Sequence, residues 1–297
     1  MKSIKPGDIP VPAFHGYLLG AVGPRPIAFA STIDENGNRN LSPFSFFNVF
    51  GANPPIAIFS PARRVRNNTT KHTLENVKIT KEVVINIVNY SIVEQMSLAS
   101  TEYADGVDEF VKSGLTPLKS ELVKPFRVKE SPVQLECIVK EVVETGTEGG
   151  AGNLVICEVV MLHVNEEVLD ENGKIDPQKI DLVGRMGGDW YVRANGDALF
   201  EVAKPIRNLG IGVDQIPEDI RLSSILTGND LGKLGNVETL PDETDVNEYK
   251  LLELSDVFQE LEDEPAALEQ KLHELAHNLL KEGKVDDAWK TLLTFNN

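Results

Sequence analysis

The feature that most constrains the fold is a series of short apolar and β-branched runs between residues 24 and 195, each bounded by turn residues. The runs read IAFAST, AIFS, VVINIV, VQLECIV and LVICEVVML, and each has the length and composition of a β-strand. Two turns predict hairpins: residues 34–38 contain an Asn-Gly pair, typical of a type I′ turn, and residues 145–153 form a glycine-rich loop. Many short strands with few helices favour a closed or partly closed antiparallel barrel over a doubly wound sheet.

The chain changes character after about Lys204. Before it, helical patterns are confined to residues 69–77, 91–100 and 107–113. Residues 205–246 contain prolines and glycines with little periodicity, which predicts an irregular connecting arm. Residues 247–297 repeat leucine at helical spacing. The sequence therefore predicts a mainly β domain with some α over 1–204, an arm over 205–246 and a helical C-terminal extension over 247–297.

The charge balance excludes some classes of partner. The 297 residues carry a formal net charge of −17, from 46 acidic and 29 basic residues. Such an acidic surface disfavours nucleic acid and anionic membranes as partners. The sequence shows no signal-peptide pattern and no apolar run long enough to span a bilayer. We therefore expect a cytoplasmic protein.

The two cysteines carry no recognisable redox or metal pattern. Cys137 and Cys157 lie in separate apolar strand runs, without CxxC spacing or nearby clusters of metal ligands. We expect both to be ordinary core residues.

The segment NLSPFSFF, residues 40–47, mixes amide and hydroxyl side chains with phenylalanines. This mixture suits a wall for a planar ring system with a polar edge. Because neighbouring side chains of a strand point to opposite faces, only some of the phenylalanines can face a ligand. We expect Asn40, Ser42 and Ser45 to approach the ligand, with Thr32 reaching the same site across the first hairpin.

A basic stretch, SPARRVRNNTTKH over residues 60–72, follows the strand run AIFS. Its cations are Arg63, Arg64, Arg66 and Lys71. Local positive charge in an acidic protein indicates an anionic ligand such as a phosphate. Thr69 and Thr70 could cap the helix that follows, whose first amides would add phosphate donors. The alternative is a solvated loop whose arginines pair with surface carboxylates.

Taken together, PRPIAFAST, the acidic Asn-Gly turn, NLSPFSFFN, KHTLENV and VVINIV resemble the flavin reductase-like (flavoredoxin-like) family of FMN-binding split barrels. The resemblance covers roughly residues 10–195 and implies an antiparallel, Greek-key-like split barrel. In that family the segment matching residues 40–46 lines the isoalloxazine ring, and the segment matching 60–73 holds the ribityl phosphate. This chain has His72 where the family usually has an aspartate. The implied cofactor-binding residues are Thr32, Asn40, Ser42, Ser45, Phe46, Ser60, Arg63, Arg64, Lys71, His72 and Thr73.

The resemblance also implies a function. It predicts an FMN-dependent oxidoreductase that takes a hydride from NAD(P)H and passes electrons to free flavin, iron or an electron-acceptor protein. The chain has no GxGxxG at a strand–helix junction, so nicotinamide would have to bind against the flavin and not in a Rossmann domain. The resemblance further implies a homodimer, and no side chain is assigned a catalytic role. The alternative is a flavin-binding electron-transfer or sensing module without NAD(P)H reductase activity.

Two further motifs are weaker. GRMGGDWY, residues 184–191, could bring Arg185 or Trp190 to the edge of a flavin pocket. His163 lies in a late strand run and could touch a nicotinamide or the flavin, but a single histidine in a strand more often has a structural role. HELAH, residues 273–277, matches the HExxH pattern of zinc proteases. Its histidines fall opposite the leucine stripe of the same helix, which predicts a solvated face and leaves a zinc hydrolase as a remote alternative.

Overall fold

The computed structural model describes residues 1–104, 106–205 and 209–295. The chain divides into two compact units, Met1–Phe200 and Glu201–Asn297. None of the helices formed by the described residues is long and apolar enough to cross a lipid bilayer.

The first unit contains eleven strands among its described residues, and they form one large and two small antiparallel sheets. These are β1 (Ala28–Ile33), β2 (Arg39–Phe44), β3 (Phe47–Ala52), β4 (Pro55–Phe59), β5 (Glu82–Ile87), β6 (Pro117–Leu118), β7 (Arg127–Val128), β8 (Val133–Glu144), β9 (Asn153–Val164), β10 (Leu182–Arg185) and β11 (Tyr191–Ala194). Seven of them form one sheet in the order β2-β1-β5-β8-β9-β4-β3, and all its pairs are antiparallel. The sheet therefore ends at β2 and β3, which are consecutive in the chain. This confirms the predicted antiparallel, mainly β class.

The helices of the first unit are short; α1 precedes the first strand and the others lie between strands. They are α1 (Val11–Ala21), α2 (His72–Thr80), α3 (Val93–Leu98), α4 (Glu109–Ser113) and α5 (Pro177–Ile180). The predicted helical segments correspond to α2, to a 3₁₀ turn over Tyr90–Ile92 that continues into α3, and to α4. The sequence reading missed α1, which buries none of its residues and so has no apolar stripe to reveal it.

The first hairpin forms where expected, but its turn differs from the prediction. The loop of Glu35, Asn36 and Gly37 joins β1 to β2, and among these three residues only Gly37 has a positive φ, of 83°. A type I′ turn requires positive φ at two central residues, so this is a three-residue loop that ends in a left-handed glycine. The Asp34 carboxylate explains the choice, because its Oδ1 accepts the N–H groups of Asn36 and Asn38 at 2.9 and 2.8 Å.

Strand β1 is buried on both faces because two apolar cores meet at it. Ala28 and Ala30 belong to a core lined by β4, β5, β8, β9 and α2. Ile27, immediately before the strand, and Phe29 belong to a second core that includes residues of α3 and α4. The six consecutive buried residues of β1 follow from this arrangement and explain why its run lacks alternation.

Cys137 and Cys157 lie in β8 and β9, where both are buried and free, as predicted. Burial raises the pKa of the Cys157 thiol to about 12. A thiol with so high a pKa is not ionised near neutrality and is not a nucleophile.

The second unit is helical. Its helices are α6 (Glu218–Arg221), α7 (Gly228–Leu234), α8 (Glu243–Glu253), α9 (Ser255–Glu260), α10 (Pro265–Lys281) and α11 (Val285–Leu293). The helical extension is therefore present, but the segment expected to be an irregular arm contains α6, α7 and the start of α8. Ile220 and Leu234 from that segment are buried in one core with Leu280 and Trp289.

The sequence did not indicate α6 and α7 within residues 205–246, because helices of four and seven residues are too short to show a hydrophobic period. The proposed domain limits at residues 204 and 246 stay predictions. Residues 206–208 of the predicted arm and 296–297 of the predicted extension lie outside the described residues.

Candidate functional site

A polar cavity of about 70 Å³ lies beside β2 and the N-terminus of α2. It is also lined by residues of the segment between α3 and α4. The predicted site residues in its wall are Asn40, Ser42, Arg64, Lys71, His72 and Thr73. Residues from two stretches about 30 positions apart in sequence thus meet at one cavity.

Asn40 is held by a buried network of amide and hydroxyl groups. Its Nδ2 donates to Thr32 Oγ1 at 3.2 Å and to Thr73 Oγ1 at 2.9 Å. Asn76 Nδ2 of α2 donates to the same Thr32 hydroxyl at 3.0 Å. Thr32 is fully buried and is absent from the cavity wall, so it positions Asn40 and does not itself reach the cavity.

The ammonium group of Lys71 belongs to the wall of this cavity. Among the residues that the structure describes, its ammonium makes neither a hydrogen bond nor an ion pair, and it lies 4.8 Å from the centroid of the Phe44 ring. Burial lowers the pKa of Lys71, and the nearby Arg64 charge lowers it further against the opposing effect of Glu102. An anion placed in the cavity would relieve both effects.

Arg64 is fixed from two sides. One of its terminal nitrogens donates to the carbonyl oxygen of Thr70 and, at 3.0 Å, to Thr69 Oγ1. Its Nε lies 3.0 Å from Glu102 Oε1, and the other oxygen of Glu102 lies 3.0 Å from a terminal nitrogen of Arg66. The hydrogen bond and charge of Arg64 hold the pKa of Glu102 below its usual value. Arg64 and Arg66 therefore pair with a carboxylate, as the alternative reading of the basic stretch expected, whereas Lys71 does not.

Ser60 and Arg63 shape the loop and do not line the cavity. Ser60 Oγ accepts the backbone N–H of Asn153 at 3.1 Å. Arg63 donates to the side-chain and backbone oxygens of Asn68 at 2.7 and 2.8 Å. Ser60 thus joins the start of the loop to β9, and Arg63 forms bonds within the loop.

The expected threonine caps of α2 are absent. The helix follows Lys71 with no side-chain cap, although His72 and Thr73 at its start line the cavity. Thr70 Oγ1 instead donates to Glu75 Oε1 at 2.5 Å, and Thr69 bonds Asn67 and Arg64. Neither hydroxyl caps the helix, because other polar side chains of the same loop and helix bind them instead.

A second cavity, of about 170 Å³, shares Ser100 of its wall with the first. Its wall has apolar and hydroxyl groups and one cation: Ile27, Pro43, Ser45, Met96, Ser97, Ser100, Arg185 and Tyr191. Arg185 lies 4.6 Å from the centroid of the Tyr191 ring and donates to the Gly188 carbonyl at 2.6 Å.

Of the other residues that the sequence predicted for the site, only some line this second cavity. Ser45 and Arg185 line it, but Trp190 is 78% exposed and does not. Phe46 is 39% exposed, with its ring centroid 6.0 Å from that of His15.

Two acidic residues of the first cavity were missed from the sequence, Glu102 and Glu109. Glu109 is buried and accepts the N–H of Leu41 at 3.1 Å. Burial raises the pKa of Glu109 by more than that hydrogen bond and the neighbouring His72 lower it. Glu102 lies between two predicted helices and Glu109 lies within the second of them. Neither belongs to a recognisable motif, so nothing in the sequence points to them.

His163 has a structural partner. Its Nε2 lies 2.7 Å from Glu136 Oε1, and neither residue lines the two cavities. The structure therefore gives no support for a role in contacting flavin or nicotinamide.

The HELAH histidines are not on a solvated face, contrary to the prediction. His273 is buried, which lowers its pKa, and His277 Nδ1 lies 2.9 Å from Asp230 Oδ2. The prediction fails because α10 packs against both α7 and α11, so its buried surface is wider than one leucine stripe. Among the described residues, no group of three or more His, Cys, Asp or Glu side chains is placed to hold a metal ion.

Comparison with known proteins decides the family. A family model described as "Flavin reductase like domain" matches residues 21–179, which is more than half of the chain. This chain belongs to the flavin reductase-like family. The match ends before the helical second unit begins at Glu201.

Relatives agree with this assignment. The chain is 39% identical over 188 residues to an uncharacterized protein of Aquifex aeolicus, covering 63% of this chain and 93% of that one. It is similar in structure to nitrilotriacetate monooxygenase component B from Bacillus cereus, with a TM-score of 0.63, 28% identity and coverage of 68% and 98%. A protein with a split barrel domain from Shewanella frigidimarina gives a TM-score of 0.56, 30% identity and coverage of 66% and 94%. The predicted split barrel is confirmed.

Proposed function

We propose that this member of the flavin reductase-like family is an FMN-dependent oxidoreductase that is reduced by NAD(P)H. The observation that carries the proposal is the Lys71 ammonium, which has no hydrogen bond or ion pair among the described residues and lines one cavity with Arg64, Asn40 and Ser42. A phosphate monoester carries close to two negative charges at neutral pH and suits such a pair of cations.

The residues present fit the two ends of FMN. Arg64, Lys71 and the first residues of α2 would hold the phosphate, where the helix N-terminus adds favourable dipoles. Ser42 and Ser45 lead from this cavity towards the second, more apolar one, which would receive the ring system. The bound flavin would supply hydride acceptance and electron release, while the protein holds and orients it.

The electron donor and acceptor are part of the proposal. The nicotinamide of NADH or NADPH would lie against the flavin, since the described part of the first unit forms no parallel strand–helix–strand unit of the Rossmann type. We propose free flavin, iron or a partner oxygenase as acceptor. The similarity to a monooxygenase component B supports the last of these.

A homodimer would complete the site. The two cavities, of about 70 and 170 Å³, are smaller than the roughly 300–1,000 Å³ typical of ligand pockets. The neighbouring edge strand β3 exposes apolar side chains, with Val49 60% and Phe50 65% exposed. An apolar sheet edge of this kind favours pairing with a second chain.

The proposal is tested by titrating the purified protein with FMN and then measuring NADH and NADPH oxidation by the FMN-loaded protein. We expect saturable FMN binding and oxidation of at least one nicotinamide when an acceptor is present. Tight FMN binding without oxidation of either nucleotide would instead identify an electron-transfer or sensing module. Failure to bind FMN would contradict the proposal outright.

A further inference from the structure

We infer that Glu102 competes with the phosphate of FMN for Arg64 and thereby determines how strongly the site favours FMN over unphosphorylated flavin. This inference rests on the proposed function, because it concerns the same cavity. It goes further by assigning a role to a residue that neither the sequence motifs nor the family resemblance single out.

The first support is the position of the carboxylate. Glu102 lines the cavity with Arg64 and Lys71, and one of its oxygens lies 3.0 Å from Arg64 Nε. A carboxylate and a phosphate use the same planar edge of a guanidinium group. Glu102 therefore occupies a donor that an incoming phosphate would use.

The second support is that Arg64 does not need Glu102 to keep its place. Its terminal nitrogen is bound to the Thr70 carbonyl and to Thr69 Oγ1, both within its own loop. Neutralising Glu102 would leave those two bonds intact and weaken the one at Nε, because an amide oxygen is a weaker acceptor than a carboxylate. This determines the sign of the effect, because the guanidinium stays at the cavity and its Nε–H becomes easier for a phosphate to take.

The third support is that the Glu102 side chain is free to move away from Arg64. Its side chain is 52% exposed, whereas that of Arg64 is 20% exposed. Its second oxygen is bound to Arg66, whose side chain is 78% exposed and therefore able to move with it. Glu102 can thus give up Arg64 and keep a cationic partner.

The fourth support is the repulsion between the Glu102 carboxylate and a bound phosphate. Glu102 and a bound phosphate would both be negative in a small cavity, so each disfavours the other. Unphosphorylated flavin carries no such charge and would not sense Glu102. The competition is therefore specific to the phosphate.

The test replaces Glu102 by glutamine and measures the dissociation constants of FMN and riboflavin by fluorescence titration. Glu102→Gln should bind FMN about three- to tenfold more tightly than the wild type, while riboflavin affinity stays unchanged. The matched control is Glu158→Gln, which removes a carboxylate that is also paired, 2.9 Å from Lys140 Nζ, but lies outside both cavities. It should leave both affinities at wild-type values.

Three outcomes would overturn the inference while the wild type binds FMN. Unchanged FMN affinity would show that Glu102 does not compete, and weaker FMN binding would show that Glu102 supports the site. Equal tightening for FMN and riboflavin would indicate a wider cavity. A wild type that binds no FMN would instead overturn the proposed function, so the two failures are distinguishable.

Discussion

Two charged side chains of the first unit, Glu136 and Lys71, have opposite surroundings. Glu136 is fully buried, and its Oε1 accepts the N–H of Glu121 at 2.9 Å while its Oε2 accepts those of Leu122 and Val123 at 2.7 and 3.1 Å. Lys71 has no such partners among the described residues. A satisfied buried charge stabilises a loop, whereas an unsatisfied cation at a cavity wall is typical of a binding site.

Replacing Glu136 by glutamine should destabilise the first unit by about 2–4 kcal/mol. Both carboxylate oxygens accept backbone N–H groups, and an amide can offer only one acceptor oxygen, so one or more donors would lose their partner. The free energy of unfolding from urea denaturation measures this. Glu141→Gln, at an exposed position of β8, is the matched control, and an equal loss in both variants would contradict the account.

The same carboxylate predicts a pH dependence. Burial raises the pKa of Glu136, but the hydrogen bonds from the 121–123 backbone and from His163 outweigh it and leave the pKa below its usual 4.5. A lowered pKa contributes stability that is present above pH 4.5 and is lost as the pH falls through the folded-state pKa. The stability difference between wild type and Glu136→Gln should therefore shrink below pH 4.5. A difference that stays constant down to pH 3 would contradict this.

At the level of elements, the second unit depends on how its short helices are capped. Asp230 of α7 accepts the backbone N–H and the hydroxyl of Thr227 at 2.8 and 2.6 Å, and lies 2.9 Å from His277 Nδ1 of α10. Asp242, in contrast, caps α8 through a single N–H, that of Asp245, at 2.9 Å. His277 of the HELAH motif thus joins α10 to α7.

Asp230→Ala should cost more stability than Asp242→Ala. We expect about 1 kcal/mol for the single cap and about 2–3 kcal/mol for Asp230, whose replacement removes the two bonds that its side chain accepts from Thr227 and the partner of His277. Chemical denaturation followed by far-ultraviolet circular dichroism measures both. Equal losses would mean that the bond between α7 and α10 contributes nothing.

The elements that the sequence predicts well are those with local causes. The hairpin strands β1 and β2 follow from their runs and turn residues, and the meeting of residues 40–42 with 64–73 follows from the family resemblance. The position of Glu102 could not be predicted, because its partners lie 36 and 38 residues away on a loop without periodicity. The sequence did not predict helices α6 and α7, because tertiary packing stabilises them and they are too short to show an amphipathic pattern.

At the scale of the whole molecule, the negative charge is unevenly distributed. Residues 201–297 contain 21 of the 46 acidic residues but only nine of the 29 basic ones. The first unit is therefore much closer to neutral than the chain as a whole. This makes an anion-binding cavity in the first unit compatible with a strongly acidic protein.

The exposed edge strand β3 predicts assembly through the first unit. Replacing Phe50, which is 65% exposed, by glutamate should shift the protein from dimer to monomer because it places a charge at the proposed apolar interface. Light scattering coupled to size-exclusion chromatography measures the mass. Val111→Glu, at a 72% exposed position of α4, should leave the dimer intact. A monomeric wild type would contradict the proposed dimer.

The most direct test of the flavin site compares FMN with riboflavin in wild type, Lys71→Met and Lys78→Met. Lys78 is the matched control because it lies on α2 with its ammonium 2.6 Å from Glu144, outside the cavity. The account predicts that wild type and Lys78→Met prefer FMN equally, and that Lys71→Met loses about 10–100-fold of FMN affinity with riboflavin affinity unchanged. An FMN preference that survives in Lys71→Met would contradict the assignment of this cavity to the phosphate.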